Sequence, residues 1–241
     1  GSHNNFFGKN SGSSIQNGSN NNFFGNCAGL TNSNGSNNNF LGACAGCLNN
    51  NGADNNFLGY RAGWCSSGSW NNFFGREAGS DNTGNYNNFF GYRVGLANTS
   101  GGSNNFIGQC AGYSNSVGCH NNFFGSNAGG CNTTGSRNIS IGKDAGIGGS
   151  NSSGNDNTFL GELTGKLNST GSGNIFLGRY AGCTNTTGSC NITIGYAAVL
   201  PSATGSCQLS IGADGNYWIQ GNSFFNVGLG TDNPTSKLHV F

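Results

Sequence analysis

Cys44-Ala45-Gly46-Cys47 has the spacing of half a zinc site, but a closed site takes four ligands. Besides the leading His3, the chain offers only His120 and His239. Gly161-Glu162-Leu163-Thr164-Gly165-Lys166 imitates a phosphate loop, without the hydroxyl residue after the lysine or the helix that should follow. Gly228-Leu229-Gly230 is turn chemistry. Hydrolytic or lyase sites need clustered Asp, Glu or Lys, and the eight carboxylates here are scattered. The reading is no enzyme, with no catalytic residue, metal or cofactor.

One grouping suits recognition instead. Tyr60, Arg61, Trp64, Trp70, Arg76, Glu77, Tyr86, Tyr92 and Arg93 fall in one short stretch. Aromatics with arginine suit stacking on sugars or contact with a protein. The plainer reading is decoration of corners in a repetitive fold.

The elements that would hold these residues are set by a repeat. Asn4-Asn5-Phe6-Phe7-Gly8 returns as Asn21-Asn22-Phe23-Phe24-Gly25 and again as Asn38-Asn39-Phe40-Leu41-Gly42. The closing glycine recurs at 17-residue steps, twice at 16 and once at 19, through Gly212. This gives thirteen copies of Asn-Asn-Phe-Φ-Gly-x-x-Ala-Gly, where Φ is apolar, joined by loops of Gly, Asn, Ser and Thr. Such loops favour tight turns and positive φ. Glycine at this density is too costly for helix, and no 3.6-residue period is present. The pattern predicts an all-β parallel β-solenoid, or β-roll, with rungs of about 17 residues spaced ~4.8 Å apart.

Two columns of side chains follow. The residue before each glycine (Phe7, Phe24, Leu41 and onward to Ile211) is always apolar and is expected inside the coil. Alanines three after the glycine, such as Ala28 and Ala45, suit a narrow inner wall. The residue ahead of the apolar one should then point outward. It is Phe6, Phe23, Phe40, Phe57, Phe73, Phe89, Phe106 and Phe123 in the first eight copies, and Ser140, Thr193 and Ser210 in three later ones. An outward stripe of phenylalanines is a patch soluble monomers avoid, so it predicts packing of identical chains in a homotrimer. The later form, Asn191-Ile192-Thr193-Ile194, marks a change of packing, with a soft subdivision near 142–161 where the long step falls.

Cys27 and Cys44 share a column on adjacent rungs, as do Cys190 and Cys207. Rung spacing brings such pairs within disulfide range. Staples and small half-buried thiols stay equally open. Residues 1–3 read as a purification-tag remnant ahead of a shaft over 4–212, and 213–241, with Tyr217 and Trp218, as a cap. Charged residues make up 7 % of the chain, at a net charge of +1. That removes the electrostatic case for nucleic acid or an anionic membrane. No segment approaches the ~20 apolar residues of a membrane span. Sequons such as those at Asn132 and Asn185 arise by chance in so Asn/Ser/Thr-rich a text.

Asn191-Ile192-Thr193-Ile194-Gly195 resembles the strand motif of the β-roll heads of YadA-like trimeric autotransporter adhesins. The Asn-Asn-Phe-Phe-Gly-x-x-Ala-Gly form looks like repeats of phage tail-fibre-like and bacterial surface fibre proteins. The stretch from Asn226 to Val240, with Val227-Gly228-Leu229-Gly230-Thr231-Asp232-Asn233-Pro234, is similar to a junction motif of such fibres. The 17-residue rung and the ten cysteines depart from the adhesin pattern. The resemblance implies a homotrimer outside the cell or on a virion, attaching to a cell-surface receptor, with carbohydrate among the candidates. The alternative is a monomeric solenoid that binds ice or glycan, although Thr is only sporadic in the strand columns.

Overall fold

The computed structural model describes residues 1–149 and 152–241. The chain is an all-β parallel β-solenoid with rungs of about 17 residues. It divides into two compact units, Gly1–Asn121 and Asn122–Phe241. The expected subdivision at 142–161 includes residues 150 and 151, which lie outside the described residues.

The first unit holds β1 (Asn5–Phe7), β2 (Asn22–Phe24), β3 (Asn39–Leu41), β4 (Asn56–Leu58), β5 (Asn72–Phe74), β6 (Asn88–Phe90) and β7 (Asn105–Ile107). Each pairs in parallel with the next, residue on equivalent residue: Phe6 on Phe23, Phe23 on Phe40. Residues 1–3 join the first rung, where His3 takes the same left-handed corner (φ 58°) as Asn20 and Asn37 in later rungs. The glycine closing each strand turns the chain at a φ no side chain adopts easily. At Gly25, φ is +142° and an added Cβ would sit 2.5 Å from the Gly42 carbonyl oxygen.

The two columns are exchanged relative to the sequence expectation. Phe23, Phe40, Phe57, Phe73, Phe89 and Phe106 are fully buried inside the chain's own coil, and Phe6 tops the column at the first rung. Their rings stack face to face at 4.7 to 5.1 Å. The column before the glycine faces out: Phe24, Leu41, Phe90 and Ile107 are each about two-fifths exposed. The cause lies six residues downstream of each inner ring. Phe23 lies flat on Gly29, where an added Cβ would stand 2.4 Å from Cε2. The coil can hold a phenyl group only over that glycine. Ala28, Ala45 and Ala62 line the inner wall as expected and are fully buried.

Asparagine fills the rest of the lumen. The amide of Asn21 donates to the Gly35 carbonyl at 2.8 Å, and its Oδ1 accepts from the backbone N–H of Asn38 at 3.0 Å. Asn38 repeats the pattern with Gly52 and Asn55. These two amides thereby satisfy backbone groups of two rungs, as burial of polar atoms requires, whereas the buried side chains of Asn32 and Asn49 make no hydrogen bond. A second ladder runs up the outer face, where Asn5, Asn22, Asn39, Asn56, Asn72, Asn88 and Asn105 link Nδ2 to Oδ1 at 2.8 Å at every step.

The second unit holds β8 (Asn122–Phe124), β9 (Ile139–Ile141), β10 (Thr158–Leu160), β11 (Ile175–Leu177), β12 (Ile192–Ile194) and β13 (Leu209–Ala213), all parallel. Then β14 (Asn216–Gly221) folds back antiparallel on β13, β15 (Val227–Leu229) pairs antiparallel with β14, and β16 (Leu238–Val240) runs parallel to β15. The antiparallel turn of β14 ends the run of rungs. Inside this unit Ser140, Thr193 and Ser210 replace rings and are buried. Ser140 leaves a cavity of about 20 Å³ between Phe123 and Phe159, lined by Asn138 and Asn157, the size of one water site. Phe159, Phe176, Ala181 and Leu200 form an apolar cluster below it. Asn132 and Asn185, the sequon residues, are buried and donate to the Gly135 and Gly188 carbonyls. Among the described residues no helix is long and apolar enough to cross a membrane.

Candidate functional site

Each rung turns sharply after its glycine, and the second residue past the glycine is left-handed although it is seldom glycine. Arg61 (φ 55°), Glu77 (φ 58°) and Arg93 (φ 51°) hold this position in three successive rungs of the first unit. Such a φ is costly for large residues and aims their side chains along one corner. The preceding position adds Tyr60, Arg76 and Tyr92. The Arg61 guanidinium lies 5.3 Å from the Tyr60 ring centre and 5.1 Å from that of Trp64. Arg76 lies 5.5 Å from the Tyr60 ring. Glu77 accepts from Arg76 at 3.3 Å and from Arg93 at 2.6 Å, and Arg93 covers Tyr92 at 5.2 Å. Trp64, Arg61, Tyr60, Arg76, Glu77, Arg93 and Tyr92 therefore form one unbroken chain of contacts. The Arg93 and Arg76 guanidiniums hold the Glu77 carboxyl below the usual carboxylate range.

The sequence grouping splits in two. Trp70 and Tyr86 sit at the other end of the strands, at the left-handed corner that precedes them (φ 57° and 60°). They stack on each other at 4.9 Å and belong to a separate surface.

The cysteine pairs share corners as expected. Cys44 N–H donates to Asn26 O and Cys27 N–H to Lys9 O, one rung apart, and Cys207 and Cys190 donate in the same way to Ser189 and Ser172. All ten cysteines are free thiols. Burial, with the Cys44 and Cys27 thiols nearby, pushes Cys47 up to about 11. Among the described residues no group of three His, Cys, Asp or Glu side chains is placed to hold a metal.

The residues placed inward by position turn out to be internal supports. Phe6, Phe23, Phe40, Phe57, Phe73, Phe89 and Phe106, expected at a trimer contact, belong to the first unit's own stack, and Phe123 is buried in the second unit. The surface the sequence reading missed is the outer face of β9–β13. There the slot held by asparagine in the first unit carries Ile139, Thr158, Ile175, Ile192 and Leu209. Beside them stand Ile141, Leu160, Leu177, Ile194 and Ile211. Ile139, Ile141, Leu160, Ile175, Ile192 and Ile194 are all exposed. The replacement of Asn by Ile at that slot was the available signal. A separate cleft of about 380 Å³ opens beside Tyr217, Thr231, Asp232 and Phe241.

Comparison with protein families, with curated proteins and with solved structures finds no match.

Proposed function

We propose that the chain is a structural segment of a fibre, built to associate laterally with copies of itself and to carry an attachment surface outside the cell or on a virion. The observation that carries this reading is the exposed aliphatic face of β9–β13. It presents on the order of 500 Å² of uncharged surface, the scale at which an exposed patch marks an interface. A face that repeats rung by rung at ~4.8 Å finds matching spacing in a second copy of itself. Threefold order comes from the resemblance to adhesin and tail-fibre repeats. It no longer draws support from the phenylalanine column, which the chain covers by itself.

Light scattering across a concentration range tests the reading. It predicts a mass at or near three times 24.6 kDa. A constant 24.6 kDa at all concentrations would overturn it and favour a monomeric solenoid that binds glycan or ice.

A further inference from the structure

The corner that carries Tyr60, Arg61, Trp64, Arg76, Glu77 and Arg93 concentrates charge in a chain that has little. Three of the nine Lys and Arg residues stand there in successive rungs. Only one carboxylate, Glu77, enters the chain of contacts, and it is divided between Arg76 and Arg93. Asp81 stands further along the turn beside Cys65. Among the described residues Arg61 pairs with no carboxylate. Its partners are the faces of Tyr60 and Trp64. A guanidinium stacked on rings keeps its planar N–H edge free for a bidentate acceptor. The left-handed backbone at Arg61 (φ 55°) restricts where that edge can point.

From this geometry we propose that the corner binds a carboxylate-bearing polysaccharide, with Arg61 as the group that grips the carboxylate. The proposal names a ligand class for the attachment role above and rests on that role. Stacking on Tyr60 and Trp64 presents the guanidinium edge outward. Arg76 and Arg93, each keeping one bond to Glu77, add long-range attraction. The ~4.8 Å step between rungs is close to the advance of an extended polysaccharide per hexose, so equivalent corner groups can meet successive sugars.

The test is binding of a hyaluronan decasaccharide to the intact chain, beside its carboxyl-reduced form and a polyglutamate peptide, with light scattering on the same samples. The proposal predicts that hyaluronan binds, that added salt weakens binding, and that the carboxyl-reduced form does not bind. Arg61→Asn, which suits a left-handed backbone, should lose about tenfold in affinity with an unchanged melting temperature. Arg61→Lys, which keeps the charge and loses the planar edge, should also fall. Equal binding of the reduced sugar, unchanged affinity in Arg61→Asn, or binding of polyglutamate alone would overturn it. A chain that assembles but does not bind hyaluronan sinks this proposal and leaves the fibre reading standing.

Discussion

The rungs of β1–β7 and those of β9–β13 share one backbone plan, with an apolar outer column before the glycine in both, and differ at two slots of the strand. In the first unit the inner slot is always phenylalanine and the outer slot before it is always asparagine, locked into a ladder at 2.8 Å. In the second unit Ser140, Thr193 and Ser210 enter the lumen while Ile139, Ile175, Ile192 and Leu209 take the outer slot. The first unit draws cohesion from inside. Each buried ring contributes ~2–3 kcal/mol from burial, with about 0.5–1.5 more from stacking. The second gives up part of that and displays aliphatic surface instead. One scaffold thus carries either an asparagine ladder or a second aliphatic column on its outer face, by exchanging residues at two slots.

The comparison can be broken most severely at an inner ring. Phe57→Ala should cost ~3–5 kcal/mol in thermal or urea denaturation. Ser140→Ala, at the equivalent slot of the second unit, should stay within about 1 kcal/mol. Next is the glycine beneath the ring. Gly63→Ala must hold φ +57° and place a Cβ 2.4 Å from Phe57, a cost of roughly 1–3 kcal/mol or more. The rung of Thr193 has no ring, and Val199 occupies that glycine's place. Third, Ile175→Asn with Ile192→Asn would write the first unit's outer slot into the second. Monomer stability should change by about 1 kcal/mol or less, while the mass by light scattering falls toward that of one chain.

The smallest expected effect is electrostatic. The folded pKa of Glu77 lies below its unfolded value, so the unfolded chain binds the proton more readily. The stabilisation is therefore present above the ordinary glutamate range, around 4.3, and is lost as pH falls through the folded value. Glu77→Gln should flatten the acid limb of the stability profile. The gain is modest because the Arg partners are solvent-exposed. Asp156, lowered by Arg137, should act with the same sign in the second unit.

The rung length, strand positions and inner alanines were legible because glycine and apolar residues recur at fixed slots. The direction of the two strand columns was not. Constancy of the column before glycine suggested an interior, and strand alternation then put the other column outside. The column before glycine is apolar yet lies outside, and the lumen accepts rings, asparagine amides and, at Ser140, Thr193 and Ser210, hydroxyls, so polarity alone does not tell the faces apart. The decisive signal was a pairing across six residues, Phe23 with Gly29 and Phe57 with Gly63, absent where Thr193 meets Val199. The corner site was half legible. Adjacent numbering put Trp70 and Tyr86 with Arg61, but the strand separates them, because only slot within the rung decides which side chains meet.

Hydroxyl-radical footprinting tests the account most directly, by mass-spectrometric readout of neighbouring phenylalanines at low and high protein concentration. Phe23, Phe40 and Phe89 should resist oxidation throughout, while Phe24 and Phe90 oxidise when the chain is dilute. Rapid oxidation of Phe23 and Phe89 alongside protected Phe24 and Phe90 in dilute protein would contradict the placement of the rings inside the coil.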